Sequence, residues 1–325
     1  MVIDAKREAV AVRHVGGLSV TQLKKLLDEA RGPSRSDADT LVAQADKIAG
    51  DGNPGEAAKL YAAAIEAAPE EWPRFARVAD ALMTALAMTG KFEECVTRAE
   101  ALYPRLTDTA AGASIAGTGL GCAMRTKDRE KQVAFFEKET RRYVVDPKLD
   151  ISDDDRSGMY IALIGAREAA KDTEGEKALE QEWVKFLEEA AAKAKTPEQR
   201  TVYDSHRLSA YLEVGTPEKA IPMLEQSARD FPDDYNPPAR MALAYRAMKN
   251  YDDALAASDR ALRMSYGPRK LGYLRTRADI YTDMGNQEAA RRTVEEAIAY
   301  AKSLPKEQVR EGTIAALEKK LAEMK

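Results

Sequence analysis

The residues best able to carry out covalent chemistry in this 325-residue chain are its two cysteines. Cys95 and Cys122 are too far apart in the sequence to form a Cys-x-x-Cys redox motif. They could pair with each other, or one of them could act as a reactive thiol. Cysteine is also a common small buried residue, and both cysteines lie in stretches rich in alanine or glycine. We therefore favour a structural role for both.

The histidines and acidic clusters lack the spacing of a metal site. His14 and His206 have no second histidine, cysteine or acidic cluster at ligand spacing. The stretch "DDDRSG" at Asp153 to Gly158 resembles the start of a calcium-binding loop, but Ile164 stands where the closing glutamate of that loop should be. We interpret the aspartates as the N-terminal cap of a helix, and the sequence predicts no metal site.

One further stretch has the spacing of a cofactor motif. "GDGNPG" at Gly50 to Gly55 fits Gly-x-Gly-x-x-Gly, but it follows a predicted helix and not a strand, so we interpret it as a turn between helices. The sequence contains no nucleophile elbow, phosphate loop or zinc-protease motif. It therefore predicts that the chain is not an enzyme and uses no cofactor.

Composition limits the kinds of partner and compartment. The net charge of −4 gives no sign of a nucleic-acid partner. No apolar run is long enough for a membrane span, and the first residues lack the features of a secretory signal. We expect no nucleic-acid partner, no membrane span and a cytoplasmic location. A periplasmic location would follow if an upstream segment is missing from this sequence.

Beyond a polar stretch that ends at residue 37, the sequence is periodic. Three tyrosines are separated by 34 and 36 residues, and three alanines follow them at the same spacing. The tyrosines are Tyr211, Tyr245 and Tyr281, and the alanines are Ala220, Ala254 and Ala290. The pattern predicts that each tyrosine lies near the end of one helix and each alanine at the beginning of the next.

This pattern resembles the tetratricopeptide repeat (TPR), a helix-turn-helix unit of about 34 residues. The resemblance implies an all-α fold in which successive units stack into a superhelix. We expect the array to cover residues 38–304, with two looser helix pairs in the irregular residues 107–195, and a capping helix in residues 305–325. Small residues are needed where two helices cross, because the helix axes are only about 8–10 Å apart there.

The first 31 residues resemble the C-terminal end of a thioredoxin-like domain. A short apolar run, a polar turn and the valine-rich stretch Glu8 to Val15 predict two strands, and "VGGLSVTQLKKLLDEA" predicts an amphipathic helix. We expect a small β-β-α remnant in residues 1–31, joined to the array by a linker at residues 32–37. The Cys-x-x-Cys motif of thioredoxins lies upstream of the matching segment, so the resemblance implies no redox site here.

The stretch "AGASIAGTGLGCAM" at residues 111–124 is unusual for a helix because it contains four glycines. Each glycine destabilises a helix by roughly 1 kcal/mol relative to alanine, so another interaction must offset this cost. We favour very close helix packing, or a loop, as the explanation. The alternative is a smooth patch that the backbone of a partner approaches.

The TPR resemblance implies that the chain binds a protein or peptide and catalyses no reaction. The ligand would lie on the inner, concave surface of the superhelix, which the first helix of each unit lines. Helical geometry predicts that eight residues lie there: Ser205, Ser209, Asn236, Leu243, Arg246, Arg275, Asp279 and Thr282. A TPR subgroup clamps acidic chaperone tails with lysine and asparagine. At the matching positions this chain has Ala239, Leu243, Arg275 and Asp279, which argues against such a clamp.

An enzymatic alternative stays open at this point. The chain could be the recruiting portion of a thioredoxin-like thiol-disulfide oxidoreductase whose catalytic Cys-x-x-Cys half is absent from this sequence. A Cys-x-x-Cys encoded in frame upstream of Met1 would distinguish this alternative from a binding scaffold.

Overall fold

The computed structural model describes residues 2–4, 9–12, 20, 23–24, 27, 36–305, 308–309 and 312–324. The chain divides into two compact units, Met1–Glu180 and Gln181–Lys325. Apart from one short hairpin, the described residues form helices joined by turns.

The hairpin consists of β1 (Val2–Asp4) and β2 (Ala9–Val12), which pair in antiparallel orientation with Ile3 opposite Val10. The two strands lie where the sequence predicts them. The turn between them and most of the helix predicted after them lie outside the described residues. A two-stranded sheet is marginally stable alone, and a hairpin of this size does not support a thioredoxin-like remnant.

The helices of the first unit begin after Ser36 and follow one another closely. They are α1 (Asp37–Gly50), α2 (Pro54–Ala67), α3 (Phe75–Met88), α4 (Phe92–Leu102), α5 (Ala110–Ala123), α6 (Glu130–Val145) and α7 (Asp153–Ala170), and α8 (Thr173–Lys193) crosses into the second unit. Helices are therefore present where the sequence predicts the two looser pairs.

Local side-chain contacts account for two motifs that resemble ligand sites. The "GDGNPG" stretch is the turn between α1 and α2: Gly52 has a φ of +87°, and the Asn53 side chain accepts a hydrogen bond from the Glu56 backbone N–H at 3.2 Å. In "DDDRSG", Ser152 caps α7 and forms a capping box with Asp155. Both interpretations from the sequence are confirmed.

Helix α5 packs against α3, α4, α6 and α7, and its glycines allow this close approach. A Cβ atom at Gly119 would lie 3.0 Å from the Phe136 ring and 3.1 Å from the Cβ of Ala99. A Cβ atom at Gly112 would overlap the carbonyl oxygen of Leu106. The glycine-rich stretch is therefore a closely packed helix and not a loop. The dispersion attraction between closely packed atoms offsets the weak helix propensity.

A disulfide joins α4 to α5. Cys95 and Cys122 form this bond, with their Cα atoms 6.1 Å apart and their side chains 0% and 1% exposed. Of the alternatives that the sequence leaves open, the structure thus has the cysteines paired in a structural role. Because the bond closes a loop across the turn between the helices, it restricts the unfolded chain.

The second unit contains the regular repeats. Its helices are α9 (Pro197–Thr201), α10 (Asp204–Glu213), α11 (Ala220–Asp230), α12 (Asn236–Ala247), α13 (Tyr251–Met264), α14 (Arg269–Asp283), α15 (Gln287–Ser303) and α16 (Thr313–Glu323). The repeat tyrosines lie in the last turns of α10, α12 and α14, and the repeat alanines lie in the first turns of α11, α13 and α15, as the sequence predicts.

The turns inside the three repeats share one geometry. The backbone N–H groups of Thr216, Asn250 and Asn286 donate to the carbonyl oxygens of the three repeat tyrosines at 2.8–2.9 Å. The residue before each donor has a positive φ; it is glycine in two turns and Lys249, at φ 59°, in the third. These bonds satisfy carbonyl groups at the end of each first helix and turn the chain back for the second.

Small residues lie at the centre of each helix pair. Ala220, Ala254 and Ala290 are all 0% exposed. Ala254 belongs to a cluster with Leu224 and Ile280, so the core runs from one repeat into the next. The last helix, α16, packs against α15.

Replacing Gly112 with alanine should destabilise the first unit by about 1–3 kcal/mol, because the added methyl group overpacks the contact with Leu106 and Tyr143. Gly121→Ala is the control in the same helix, since its nearest neighbour would be the Arg125 guanidinium at 3.6 Å. It should be neutral or stabilise by up to about 1 kcal/mol. Urea unfolding measures both effects, and equal stability of the two variants would contradict the packing described here.

The double variant Cys95→Ala, Cys122→Ala should lose about 3–4 kcal/mol of unfolding free energy, from the chain entropy regained in the denatured state. Thermal unfolding with and without a reductant checks this prediction. The reductant should lower the melting temperature of the parent protein and leave that of the variant unchanged. A parent melting temperature that does not respond to the reductant would contradict the role given to the disulfide.

Ala254→Leu should overpack the crossing of α12 and α13 and cost about 1–3 kcal/mol. Ala256→Leu, two residues along the same helix at an exposed position, should change stability by less than about 0.5 kcal/mol. Denaturant midpoints of the two variants provide the comparison. Indistinguishable midpoints would mean that the crossing does not depend on a small residue.

Candidate functional site

The eight residues predicted to bind a ligand lie on α10, α12 and α14, which are the first helices of three successive repeats. We call these eight residues the first-helix face. In α14, Arg275, Asp279 and Thr282 are spaced four and three residues apart and therefore share one side of the helix. The buried residues Leu274 and Ala278 directly precede Arg275 and Asp279 in sequence and pack into the core. Burial of one side of α14 thus leaves these three residues on another side, where Lys320 of the last helix contacts Asp279.

Charged residues of α12, α14 and α16 form a network across this face. The Arg246 guanidinium donates to Asp283 at 2.6 Å and lies 3.7 Å from an oxygen of Asp279. The other oxygen of Asp279 accepts a hydrogen bond from the Lys320 ammonium at 2.6 Å. The structure thus joins two of the predicted residues, Arg246 and Asp279, and adds Asp283 and Lys320.

The network is partly open to water. The side chains of Arg246, Asp279, Asp283 and Lys320 are 31–36% exposed. The hydrogen bond that Arg246 donates to Asp283 raises the pKa of its guanidinium above the ordinary value. Pairs at this exposure typically stabilise a protein by less than about 1 kcal/mol each. A charged group of a ligand can therefore replace one member of such an ion pair at a small cost in free energy.

The remaining predicted residues make local contacts. The Ser209 hydroxyl donates to the carbonyl oxygen of Ser205 at 3.1 Å, and the Thr282 hydroxyl donates to that of Ala278 at 2.9 Å. The Asn236 amide donates to Asp234 at 2.7 Å. Leu243 is 37% exposed, so part of its apolar side chain is open to water.

A buried carboxyl group lies directly before Ser205. Asp204 is 1% exposed and accepts a hydrogen bond from the Ser227 hydroxyl of α11 at 2.6 Å. Burial raises the pKa of this carboxyl group, while the positive charges of Arg200, Arg207 and Arg240 oppose that rise. The bond fixes α10 against α11 and so positions Ser205 and Ser209.

Two cavities adjoin the network between α14 and α16. One has a volume of about 440 Å³ and is lined by Leu271 and Arg275 of α14 and by Leu317 and Lys320 of α16. The other has a volume of about 430 Å³ and is lined by Asp279, Thr282, Lys320 and Met324, among others. Lys320 therefore separates two unfilled spaces along one groove.

Sequence reasoning missed Asp283 and Lys320 for different reasons. Asp283 follows Thr282 on the same helix and is 37 residues from Arg246, close to one repeat length, so the repeat spacing carried a usable signal. Lys320 lies in the segment predicted only as a cap. Nothing in its sequence spacing indicates which helix it contacts.

The described residues contain no group of three or more histidine, cysteine, aspartate or glutamate side chains that could hold a metal ion. None of the helices described is both long and apolar enough to span a membrane. The arrangement on α12, α14 and α16 offers charged groups of both signs beside an exposed leucine, which suits recognition of another molecule.

The TPR family profile, described as "Tetratricopeptide repeat", matches residues 235–303, which contain α12 to α15. Among solved structures, a tetratricopeptide repeat protein from Parabacteroides merdae ATCC 43184 is 13% identical, with 88% of this chain and 98% of that chain covered and a TM-score of 0.50. BtubC (BKLC) from P. vanneervenii is 14% identical over 63% of this chain and 81% of that chain, with a TM-score of 0.38.

The TPR2AB domain of yeast Sti1, solved in a complex with pHSP90, is 13% identical over 88% of this chain and 98% of that chain, with a TM-score of 0.33. No curated protein sequence matches the chain. These comparisons do not support the thioredoxin-like remnant expected in residues 1–31.

The family match falls on two of the three repeats that share the tyrosine-carbonyl turn and the buried alanine, and the likeness to the Parabacteroides protein concerns the same kind of fold. Residues 235–303 therefore match the tetratricopeptide repeat family, and the fold is similar to that of a tetratricopeptide repeat protein.

Proposed function

We propose that the chain is a non-enzymatic scaffold that binds a protein or peptide through the first-helix face. The observation that carries this proposal is the side-by-side exposure of Leu243 and the Arg246–Asp279 pair on adjacent first helices. An apolar contact point surrounded by charges of both signs is the composition of a recognition surface. It is not the composition of an active site, which needs a nucleophile or a proton donor in a cleft.

The ion pairs on this face also favour binding to another chain. A peptide presents carboxylate and ammonium groups that can replace Asp283 beside Arg246, or Lys320 beside Asp279. Because these pairs are about one-third exposed, their exchange requires little extra desolvation. The net charge of −4 supports a protein partner over a nucleic acid.

The enzymatic alternative receives no support from the cysteines. Disulfide exchange requires an accessible thiolate, whereas Cys95 and Cys122 are bonded to each other and 0–1% exposed. The disulfide also bears on the compartment. Buried disulfides are typical of oxidising compartments, so this bond weighs against the cytoplasmic expectation and favours a location outside the cytoplasm.

Leu243→Glu should weaken binding of the physiological partner at least about tenfold, because it would bury an unpaired carboxylate in place of an apolar contact, and about 1.4 kcal/mol is enough for that change. Ala256→Glu, at an exposed position of α13 outside the first-helix face, is the control. Proteins captured from the native organism by the parent chain and the two variants are quantified by mass spectrometry.

The proposal expects at least one protein that the parent and the Ala256→Glu variant retain and the Leu243→Glu variant loses. If every captured protein is retained equally by the two variants, the first-helix face is not the binding surface.

A further inference from the structure

The last helix, α16, is held less firmly than the helices before it. Within residues 313–323, Leu317 is the buried side chain, whereas α15 buries seven. The remaining apolar residues of α16 that reach the core, Ile314 and Leu321, are only partly buried. The packing of α16 therefore removes little apolar surface from water. Removal of apolar surface from water is the main source of free energy when a helix packs against a protein.

Polar contacts supply much of what holds α16 in place. The Lys320 ammonium bonds Asp279 of α14 at 2.6 Å. The Lys302 ammonium bonds Glu318 at 2.8 Å, in a pair that is about half exposed, and Arg291 bonds the carbonyl oxygen of Met324 at 3.1 Å. Contacts of this exposure are screened by water and salt and exchange readily.

The groove under α16 is incompletely filled. Its cavities of about 440 and 430 Å³ lie on either side of Lys320. Both are open to water, so an apolar side chain that entered them would remove further apolar surface from water. Arg275 lines the first cavity and, among the described residues, has no ion-pair partner. A helix with a different sequence could therefore fill this groove more completely than α16 does.

We propose that the groove along Leu271, Arg275, Asp279 and Thr282 of α14 is an interaction surface for an amphipathic helix, and that α16 is the internal occupant that such a helix displaces. This inference rests on the proposed function, because three of these residues belong to the first-helix face. We call this surface the terminal groove.

The groups in the terminal groove define the chemistry of the partner helix. Asp279 selects a lysine, as it does in α16. Leu271 and the buried Leu274 beneath it select an apolar residue three positions before that lysine, where α16 has Leu317. Arg275 selects a carboxylate about one turn before the lysine, where α16 has Ala316 and contributes no charge. The partner is therefore a helix that carries the pattern acid, leucine, then lysine.

Two synthetic peptides test this inference with purified full-length protein. One has the sequence of residues 313–324, and the other carries glutamate at the position of Ala316. Fluorescence anisotropy should show that the peptide with glutamate binds at least fivefold more tightly. A peptide with glutamate at the position of Lys320 should bind at least tenfold more weakly than the parent peptide.

Variants of the protein test the displacement of α16. Lys320→Glu places a carboxylate against Asp279, so the backbone amides of α16 should exchange hydrogen at least tenfold faster and the affinity for the Ala316→Glu peptide should rise. Lys320→Gln should give an intermediate effect. Lys319→Glu is the matched control, because this neighbouring side chain is 79% exposed and, among the described residues, pairs with Glu323 of its own helix; neither quantity should change.

Several results would overturn the inference. If the backbone amides of α16 exchange hydrogen as slowly as those of α15, in both the parent protein and the Lys320→Glu variant, α16 is a fixed cap. Peptide binding that ignores charge at the positions of Ala316 and Lys320 would exclude the proposed recognition. A dimer mass of the parent protein in light scattering, lost on removal of residues 313–324, would assign the groove to a second copy. These experiments use purified protein and peptides and do not depend on the capture of a partner. If they contradict the terminal groove, the proposal that the first-helix face binds a partner is unaffected.

Discussion

The structure depends on how closely two helices can approach within each unit. In the second unit, Ala220, Ala254 and Ala290 have no exposed surface, and each lies in the first turn of a helix that crosses the one before it. A larger side chain at these positions would separate the helix axes and open the core on both sides, because interiors are packed like crystals. Once this approach is fixed, the outward side of each first helix is fixed as well. The first-helix face is thus a consequence of the alanines.

The first unit meets the same constraint with different residues. Helix α5 packs against four other helices, and glycines at positions 112 and 119 allow approaches that even alanine would hinder. Such a helix gains little from its own backbone propensity and depends on its surroundings. The disulfide between Cys95 and Cys122 anchors α5 to α4 at that point. The bond therefore lies beside the helix that has the weakest intrinsic tendency to form.

The helices, their turns and the buried alanines could be predicted because they recur in the sequence at a fixed spacing. The same periodicity places Arg275, Asp279 and Thr282 on one side of α14, since they are four and three residues apart. It could not predict the Lys320–Asp279 contact, since that contact joins a repeat to a segment without periodicity. The disulfide could not be predicted either. The sequence indicates that each cysteine lies on a helix, but it does not indicate that the two helices lie side by side. The thioredoxin-like interpretation of residues 1–31 relied on a short pattern that many hairpins share.

At the end of a repeat array, the packing that stabilises the last unit conflicts with access of a ligand to it. The last unit must cover the apolar face that another repeat would otherwise cover, and here α16 does so with Leu317 as its one buried side chain. Better packing would stabilise the cap but would also close the groove that contains Arg275 and Asp279. A weakly seated helix keeps the apolar face out of water while leaving the groove available to a competitor. The two cavities beside Lys320, of about 440 and 430 Å³, are where a competing helix would make contacts that the described residues of α16 do not make.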